Sequence, residues 1–89
     1  MGGLPSTEQR VKVEFLKREL ETGITMPNLA ATEWSLGETA PAKRAEQYAQ
    51  RAYSTFLRLL PTAETYFNAS DRAEIDRNRS ELEELLALM

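Results

Sequence analysis

Residues 39–61 read TAPAKRAEQYAQRAYSTFLRLLP, with no Gly or Pro between Pro41 and Pro61. Apolar side chains recur here at spacings of four and three, which places them on one face of a helix: Ala45, Ala49, Ala52, Phe56 and Leu59, widened by Tyr48, Tyr53 and Leu60. We predict a helix near 40–60, capped by Thr39, with Pro41 in its first turn. Small Ala side chains let a facing helix approach closely. About two heptads favour packing within the chain over dimerisation.

A long first helix is expected near 7–22, upstream of this stretch. It begins at a capping box of Ser6 and Gln9 and stops at Gly23. One face carries three apolar residues, and a second face nearly opposite carries two: Val13, Leu16 and Leu20, then Val11 and Phe15. Two apolar faces imply two neighbours, which are either helices of the same bundle or a helix and another chain.

Two further helices complete the predicted fold. A short one near 27–36 lies between Pro27 and Gly37 and contains Trp34, either a core anchor or a hot spot for a partner. After Pro61 we expect one turn and a loop, then a last helix from Ser70 to about 88. Its apolar side comprises Ile75, Leu82, Leu85, Leu86 and Met89.

The helices combine into an all-α fold, a small antiparallel bundle of three long helices and one short helix. The 89 residues suffice for a single domain, 1–89, in which 1–5 form a disordered N-terminus. Short connections make the third and last helices antiparallel neighbours, with the first helix packed across them. Ala and Leu supply most of the apolar residues, and β-branched residues are few, which excludes a β-sheet protein.

The absence of Cys and His excludes most catalytic chemistry. It removes disulfides, thiol nucleophiles, imidazole bases and the usual zinc, copper and haem ligands. We therefore expect no enzyme activity, no cofactor and no metal. No secretory signal and no run of 18 apolar residues is present, so we also expect a cytoplasmic protein without membrane contact.

A charged stripe on the long helix is formed by Arg44, Arg51 and Arg58, which recur every seven residues. Such a stripe either tracks phosphates or forms a solvated face. The net charge of −3 favours the solvated face, so no nucleic-acid partner is predicted. An acidic line on the last helix is its expected counterpart, in exposed ion pairs worth about 0–1 kcal/mol each: Glu74, Glu81 and Glu84.

Function is narrowed to three hypotheses. The first is a non-catalytic protein-protein interaction module or small homo-oligomer, whose exposed apolar strip binds another protein or a second copy. Its candidate interface is Val11, Phe15, Leu85, Leu88 and Met89. The second is a small-molecule-binding regulatory domain with an aromatic pocket at Trp34, Tyr48 and Tyr53. The third is an enzyme component that catalyses only with help from another chain.

From Leu36 onward the chain resembles a tetratricopeptide-type helical hairpin followed by a capping helix. Leu36-Gly37 is similar to the paired Leu-Gly of that family, and Ala49, Tyr53 and Pro61 resemble its small, aromatic and terminating positions. The segments at 51–61, 71–75 and 81–83 resemble a repeat helix and the polar-faced helix that closes the array. The resemblance implies a groove that binds proteins.

Overall fold

The computed structural model describes residues 7–88, in which every regular element is helical. The elements are α1 (Thr7–Ser35), α2 (Thr39–Ala63), one 3-10 turn (Glu64–Tyr66) and α3 (Ala69–Ala87). The all-α prediction is confirmed. The predicted Ser6 cap and the disordered segment 1–5 lie outside the described residues.

The predicted helices 7–22 and 27–36 are one continuous helix, so the expected count of four was wrong. Gly23 and Pro27 both lie inside α1, and both are buried. The buried positions of α1 keep alternating spacings of three and four across this point: Val13, Leu16, Leu20, Gly23, Pro27 and Ala30. Pro27 forfeits one backbone hydrogen bond. Burial on both sides of the proline keeps the helix continuous, because tertiary packing overrides local propensity.

Gly37 ends α1 as the sequence predicts. Its φ of 77° is left-handed, and its N–H donates to the Trp34 carbonyl at 3.0 Å. The N–H of Glu38 donates to the Glu33 carbonyl at 2.9 Å, which completes a Schellman motif. A side chain at position 37 would meet no atom within 4 Å, so the positive φ alone requires the glycine.

Two predicted helix starts need correction. Thr39 is the first residue of α2 rather than its cap, and Glu38 before it makes no side-chain capping bond. α3 is capped by Asn68 rather than by Ser70, because the Asn68 side chain accepts the Asp71 N–H at 2.8 Å. The Asp71 carboxylate accepts the Asn68 N–H in return, at 3.1 Å, so the two residues form a capping box.

The helices α1 and α2 form an antiparallel hairpin whose contact line we call the seam. On α2 it buries Ala42, Ala45, Ala49, Ala52, Phe56 and Ala63. Side chains are large at the end that holds Leu16 and Phe56, the base, and small at the end that holds Ala30 and Ala42. Within the predicted apolar face of α2, Leu59 is half-buried and Tyr48 is exposed, whereas four residues are thus buried within one chain: Ala45, Ala49, Ala52 and Phe56.

The third helix covers one side of the hairpin. Asp71 contacts Arg10 and Lys17, and Leu82 lies against Gly23, so α3 runs parallel to α1 rather than being crossed by it. It is antiparallel to α2, where Tyr53 bonds to Glu83. The core beneath it contains Val13, Leu16, Leu20, Phe56, Ala63, Ile75 and Leu82.

The hairpin extends past the end of α3. Only five residues of α3 follow Leu82, about 8 Å of helix, whereas α1 continues for twelve residues beyond Gly23. The part that α3 does not cover, residues 29–45, is called the tip. Its buried residues are Ala30, Ala42 and Ala45.

Candidate functional site

A groove runs along the hairpin on the side opposite α3. Three hollows follow one another from base to tip, with volumes of about 220, 280 and 260 Å³. The base hollow is lined by Val11, Phe15 and Leu59, the middle one by Glu19, Thr22, Arg51 and Thr55, and the tip one by Leu29, Glu33, Pro41 and Arg44. Met26 and Tyr48 line both the middle and the tip hollows. The base hollow is therefore largely apolar, whereas the middle and tip hollows each combine apolar side chains with one Glu and one Arg.

Helix periodicity explains why these residues share one side. On α1 the lining positions 15, 19, 22, 26, 29 and 33 keep the same three-and-four spacing as the seam, displaced to one flank of it. The lining positions of α2 do the same on the matching flank. α3 occupies the other flank, where Lys17 lies 2.8 Å from Asp71.

Charges of opposite sign lie on the two walls of the middle and tip hollows. There the α1 wall carries Glu19 and Glu33, and the α2 wall carries Arg44 and Arg51. In the base hollow the α1 wall carries Lys12 instead. Within residues 7–88 none of the two glutamates and two arginines takes part in an ion pair of 4.0 Å or less. The Arg51 guanidinium instead lies over the Tyr48 ring, 5.6 Å from its centroid.

The strongest electrostatic cluster joins α3 to α1, away from the groove. The Asp71 carboxylate is 2% exposed and lies 2.6 Å from the Arg10 guanidinium and 2.8 Å from the Lys17 ammonium. Hydrogen bonds from Arg10, then Lys17 and the Asn68 N–H, hold the pKa of Asp71 well below its usual range, against the opposing effect of burial. The sequence interpretation missed this cluster, although Asn68 and Asp71 have the three-residue spacing of a capping box.

A second polar group joins α2 to α3. The Tyr53 hydroxyl donates to the Glu83 carboxylate, which also accepts from Arg79 Nε at 3.2 Å. Burial, and then the hydrogen bond to Glu83, raise the pKa of Tyr53, and the same bond lowers the pKa of Glu83. The Arg79 guanidinium lies 5.9 Å from the centroid of the Phe56 ring. These contacts hold the helices together.

The three aromatic residues of the candidate pocket lie in different surroundings. Tyr48 is 52% exposed and lines the groove, whereas Tyr53 faces α3. Trp34 is at the tip, and its indole N–H donates to the Glu46 carboxylate at 3.0 Å. The structure therefore separates Tyr53 from Tyr48.

The candidate interface is divided between two surfaces. Val11 and Phe15 are 61% and 43% exposed and line the base hollow. Leu85 is half-buried and Leu88 is 84% exposed at the end of α3, on the other side of the hairpin. Met89 lies outside the described residues.

The arginine stripe is exposed, but its expected acidic counterpart is not its neighbour. Among residues 7–88, no ion pair joins Arg44, Arg51 or Arg58 to the acidic line of α3; Glu74 lies 3.6 Å from Lys17 of α1 instead. The prediction failed because α3 packs on the flank of α2 opposite to the stripe. Arg44 and Arg51 line the groove.

No family model, curated protein or solved structure matches this chain. The tetratricopeptide resemblance stays a prediction. In the described part of the chain, no group of three or more acidic side chains is arranged to hold a metal ion, and no helix is long and apolar enough to cross a membrane.

Proposed function

We propose that this chain is a non-catalytic protein-protein interaction module that binds an amphipathic helix along the groove. The observation that carries the proposal is the row of exposed apolar side chains along the groove, on the side of the hairpin that α3 leaves uncovered: Val11, Phe15, Leu29 and Tyr48. Exposed apolar patches flanked by polar residues are typical of protein-binding surfaces.

The dimensions of the groove suit a helix. A helix packs into the furrow between two others at an axial distance of about 8–10 Å. Phe15 in the base hollow and Leu29 in the tip hollow are fourteen residues apart on α1, which corresponds to about 21 Å. A bound helix would need apolar side chains over about that length, with charged residues on its two flanks to face the glutamates and arginines of the walls.

The placement of the perturbed ionisable groups supports a non-catalytic role. Groups with shifted pKa values often mark catalytic sites, but structural ion pairs shift pKa values as well. Asp71, Tyr53 and Glu83 all bond across helix contacts on the α3 side. None of the three lines a groove hollow. The exception is Glu33 in the tip hollow, where a side-chain hydrogen bond with Glu38 raises the pKa of the Glu33 carboxyl.

A displayed library of amphipathic helices of about 20 residues tests the proposal. The protein is immobilised sparsely, so that its groove stays free, and bound peptides are selected and sequenced. We expect enrichment of apolar residues at helical spacing, with capture lost on Val11→Glu and Tyr48→Glu. Both replaced side chains are more than half exposed, so both variants should fold. Ser80→Glu, on exposed α3 surface, is the matched control. Equal capture by all three variants would contradict the proposal.

A further inference from the structure

We infer that the helical partner is a second copy of this chain, whose groove packs face to face on the first about a two-fold axis that runs along the groove. This inference rests on the proposed function and names the partner. In the resulting dimer α1 of each copy packs against α2 of the other, and both tips lie at the same end.

The apolar residues of the groove are arranged to match themselves under this symmetry. Phe15 shares the base hollow with Leu59, and Met26 shares two hollows with Tyr48, so each pair stands at one level of the hairpin. Rotation about an axis along the groove keeps each residue at the same level of the hairpin and exchanges the positions of α1 and α2. Phe15 then meets Leu59 of the second copy, and Met26 meets its Tyr48.

The charges on the groove walls favour the same arrangement. Glu19 and Glu33 on the α1 wall face Arg51 and Arg44 on the α2 wall of the second copy, and the symmetry repeats each pair. Turning the second copy end for end would place α1 on α1 and α2 on α2. Glutamates would then face glutamates of the second copy, and arginines would face arginines. Like charges that face each other in an interface are unfavourable.

The available surface is large enough for a stable dimer. A standard interface buries about 800 Å² per partner. The molecule measures 57 × 19 × 16 Å, so one whole long side projects to about 1,000 Å², and an interface of standard size would occupy most of that side.

Charge reversal in single and mixed variants tests the inference. We expect wild-type protein to show a concentration-dependent mass of twice 10.1 kDa by light scattering. Glu19→Arg and Arg51→Glu should each raise the dimer Kd at least about tenfold, because each reverses two symmetry-related pairs. An equimolar mixture of the two variants should form a heterodimer, since each then supplies the charge that the other lacks.

Controls separate this effect from damage to the fold. Both changes exchange residues of good helix propensity on a helix surface, and circular dichroism should show unchanged helicity. Glu81→Arg and Arg77→Glu make the same reversals at exposed positions of α3 and should leave the dimer intact. Wild-type protein that stays monomeric to about 1 mM, too weak for specific association, would overturn the inference. So would a dimer that both groove variants leave unchanged.

Orientation is tested by cysteine pairs, because the chain contains no Cys of its own. Under mild oxidation, a mixture of Met26→Cys and Tyr48→Cys chains should cross-link, and a mixture of Val11→Cys and Tyr48→Cys chains should not. The reverse result would overturn the proposed axis. A monomeric protein that still captures library peptides would refute the second copy as partner but leave the proposed function standing.

Discussion

Among residues 7–88, Asp71 is the one charged residue that is buried. Its side chain fixes the start of α3 both by capping the helix and by binding to α1. Its carboxylate accepts the Asn68 N–H within its own element and receives Arg10 and Lys17 from α1. One side chain thus joins a helix cap to a contact between helices. Because the negative charge is removed from water, its two cations are required.

Asp71→Asn should lower the free energy of unfolding by about 2–3 kcal/mol, because Lys17 would be left half-buried without its main partner. Urea denaturation followed by circular dichroism measures the change. Asp76→Asn is the matched control, since Asp76 is exposed and its one ion pair within residues 7–88, to Arg72, spans 3.9 Å. A loss of equal size in both variants would refute the special role of Asp71.

The same residue predicts how stability depends on pH. The folded pKa of Asp71 lies below its ordinary value of 3.8, so in acid the unfolded chain binds more protons than the folded chain. The stabilisation by Asp71 is therefore complete above about pH 5 and is lost as the pH falls through 3.8 and below. Thermal melts from pH 6 to pH 2 should show a smaller decline in Asp71→Asn than in the wild type.

For single residues, the sequence predicted which residue types stand at helix ends better than it predicted the contacts that those residues make. Gly37 was predicted correctly, because a left-handed helix end leaves few alternatives to glycine. Asn68 and Ser70 both suit a helix cap, so propensity alone does not choose between them. Asn68 has Asp71 three residues later to complete the capping box, and that spacing is the local signal for the true start of α3.

At the scale of the elements, α1 and α3 approach each other closely at Gly23. A Cβ built on Gly23 would stand 2.7 Å from Leu82 Cδ2, and Leu82 is fully buried. The glycine therefore serves the contact with α3 rather than the end of a helix. Its conformational cost, about 1 kcal/mol relative to Ala, is offset by that packing.

Gly23→Ala should lower the free energy of unfolding of the wild type by about 1 kcal/mol, because overcrowding outweighs the gain in helix propensity. In a Leu82→Val background, which lacks both Cδ atoms, the same change should raise it by about 1 kcal/mol. The double-mutant cycle is measured by urea denaturation, with Ala31→Gly, on exposed α1 surface, as the reference for propensity. Equal effects of Gly23→Ala in both backgrounds would show that the two side chains are not coupled.

The error over α1 shows what local signals miss. Gly23 and Pro27 were interpreted as a helix end and a helix start, as those residue types usually indicate. The seam spacing from Leu20 through Gly23 and Pro27 to Ala30 continues without a shift, and this signal was available in the sequence. Its meaning depended on α2 and α3 covering both faces, which no local window contains.

Across the whole molecule, core side chains become smaller from base to tip. Phe56, Leu16 and Ile75 are buried below α3, whereas the buried side chains of the tip are all Ala. Ala buries little apolar area, so the tip gains less from packing per residue. The two ends should therefore differ in local stability.

Amide hydrogen exchange measured by NMR should be faster at the tip, residues 29–45, than in the helical segments 13–23 and 52–60. Local opening there exposes little apolar surface and leaves the base intact. Ala73, on exposed α3 surface, offers a matched control, since Ala73→Gly should not increase exchange at the tip selectively. Equal protection along α1 and α2 would refute the difference.

The sequence was sufficient to predict the fold class, but it did not predict which candidate residues lie together on one surface. Helical periodicity and composition predicted an all-α chain and the buried face of α2. Val11 and Phe15 were named as candidates for an interface and Tyr48 for a pocket, which are two different sites, and all three are exposed. They share one groove because α3 covers the opposite flank, and the placement of α3 depends on contacts between residues far apart in sequence, such as Arg10 and Asp71.

The location of Trp34 gives the molecule a built-in optical probe. It is the only tryptophan in the chain, is 44% exposed, and is bonded to Glu46 within a few residues of the turn between α1 and α2. Its emission therefore reports on one extremity, while far-ultraviolet circular dichroism averages over every helix. A fluorescence transition that precedes the dichroism transition during heating would reveal the turn end separating first, and no label would have to be attached to the chain.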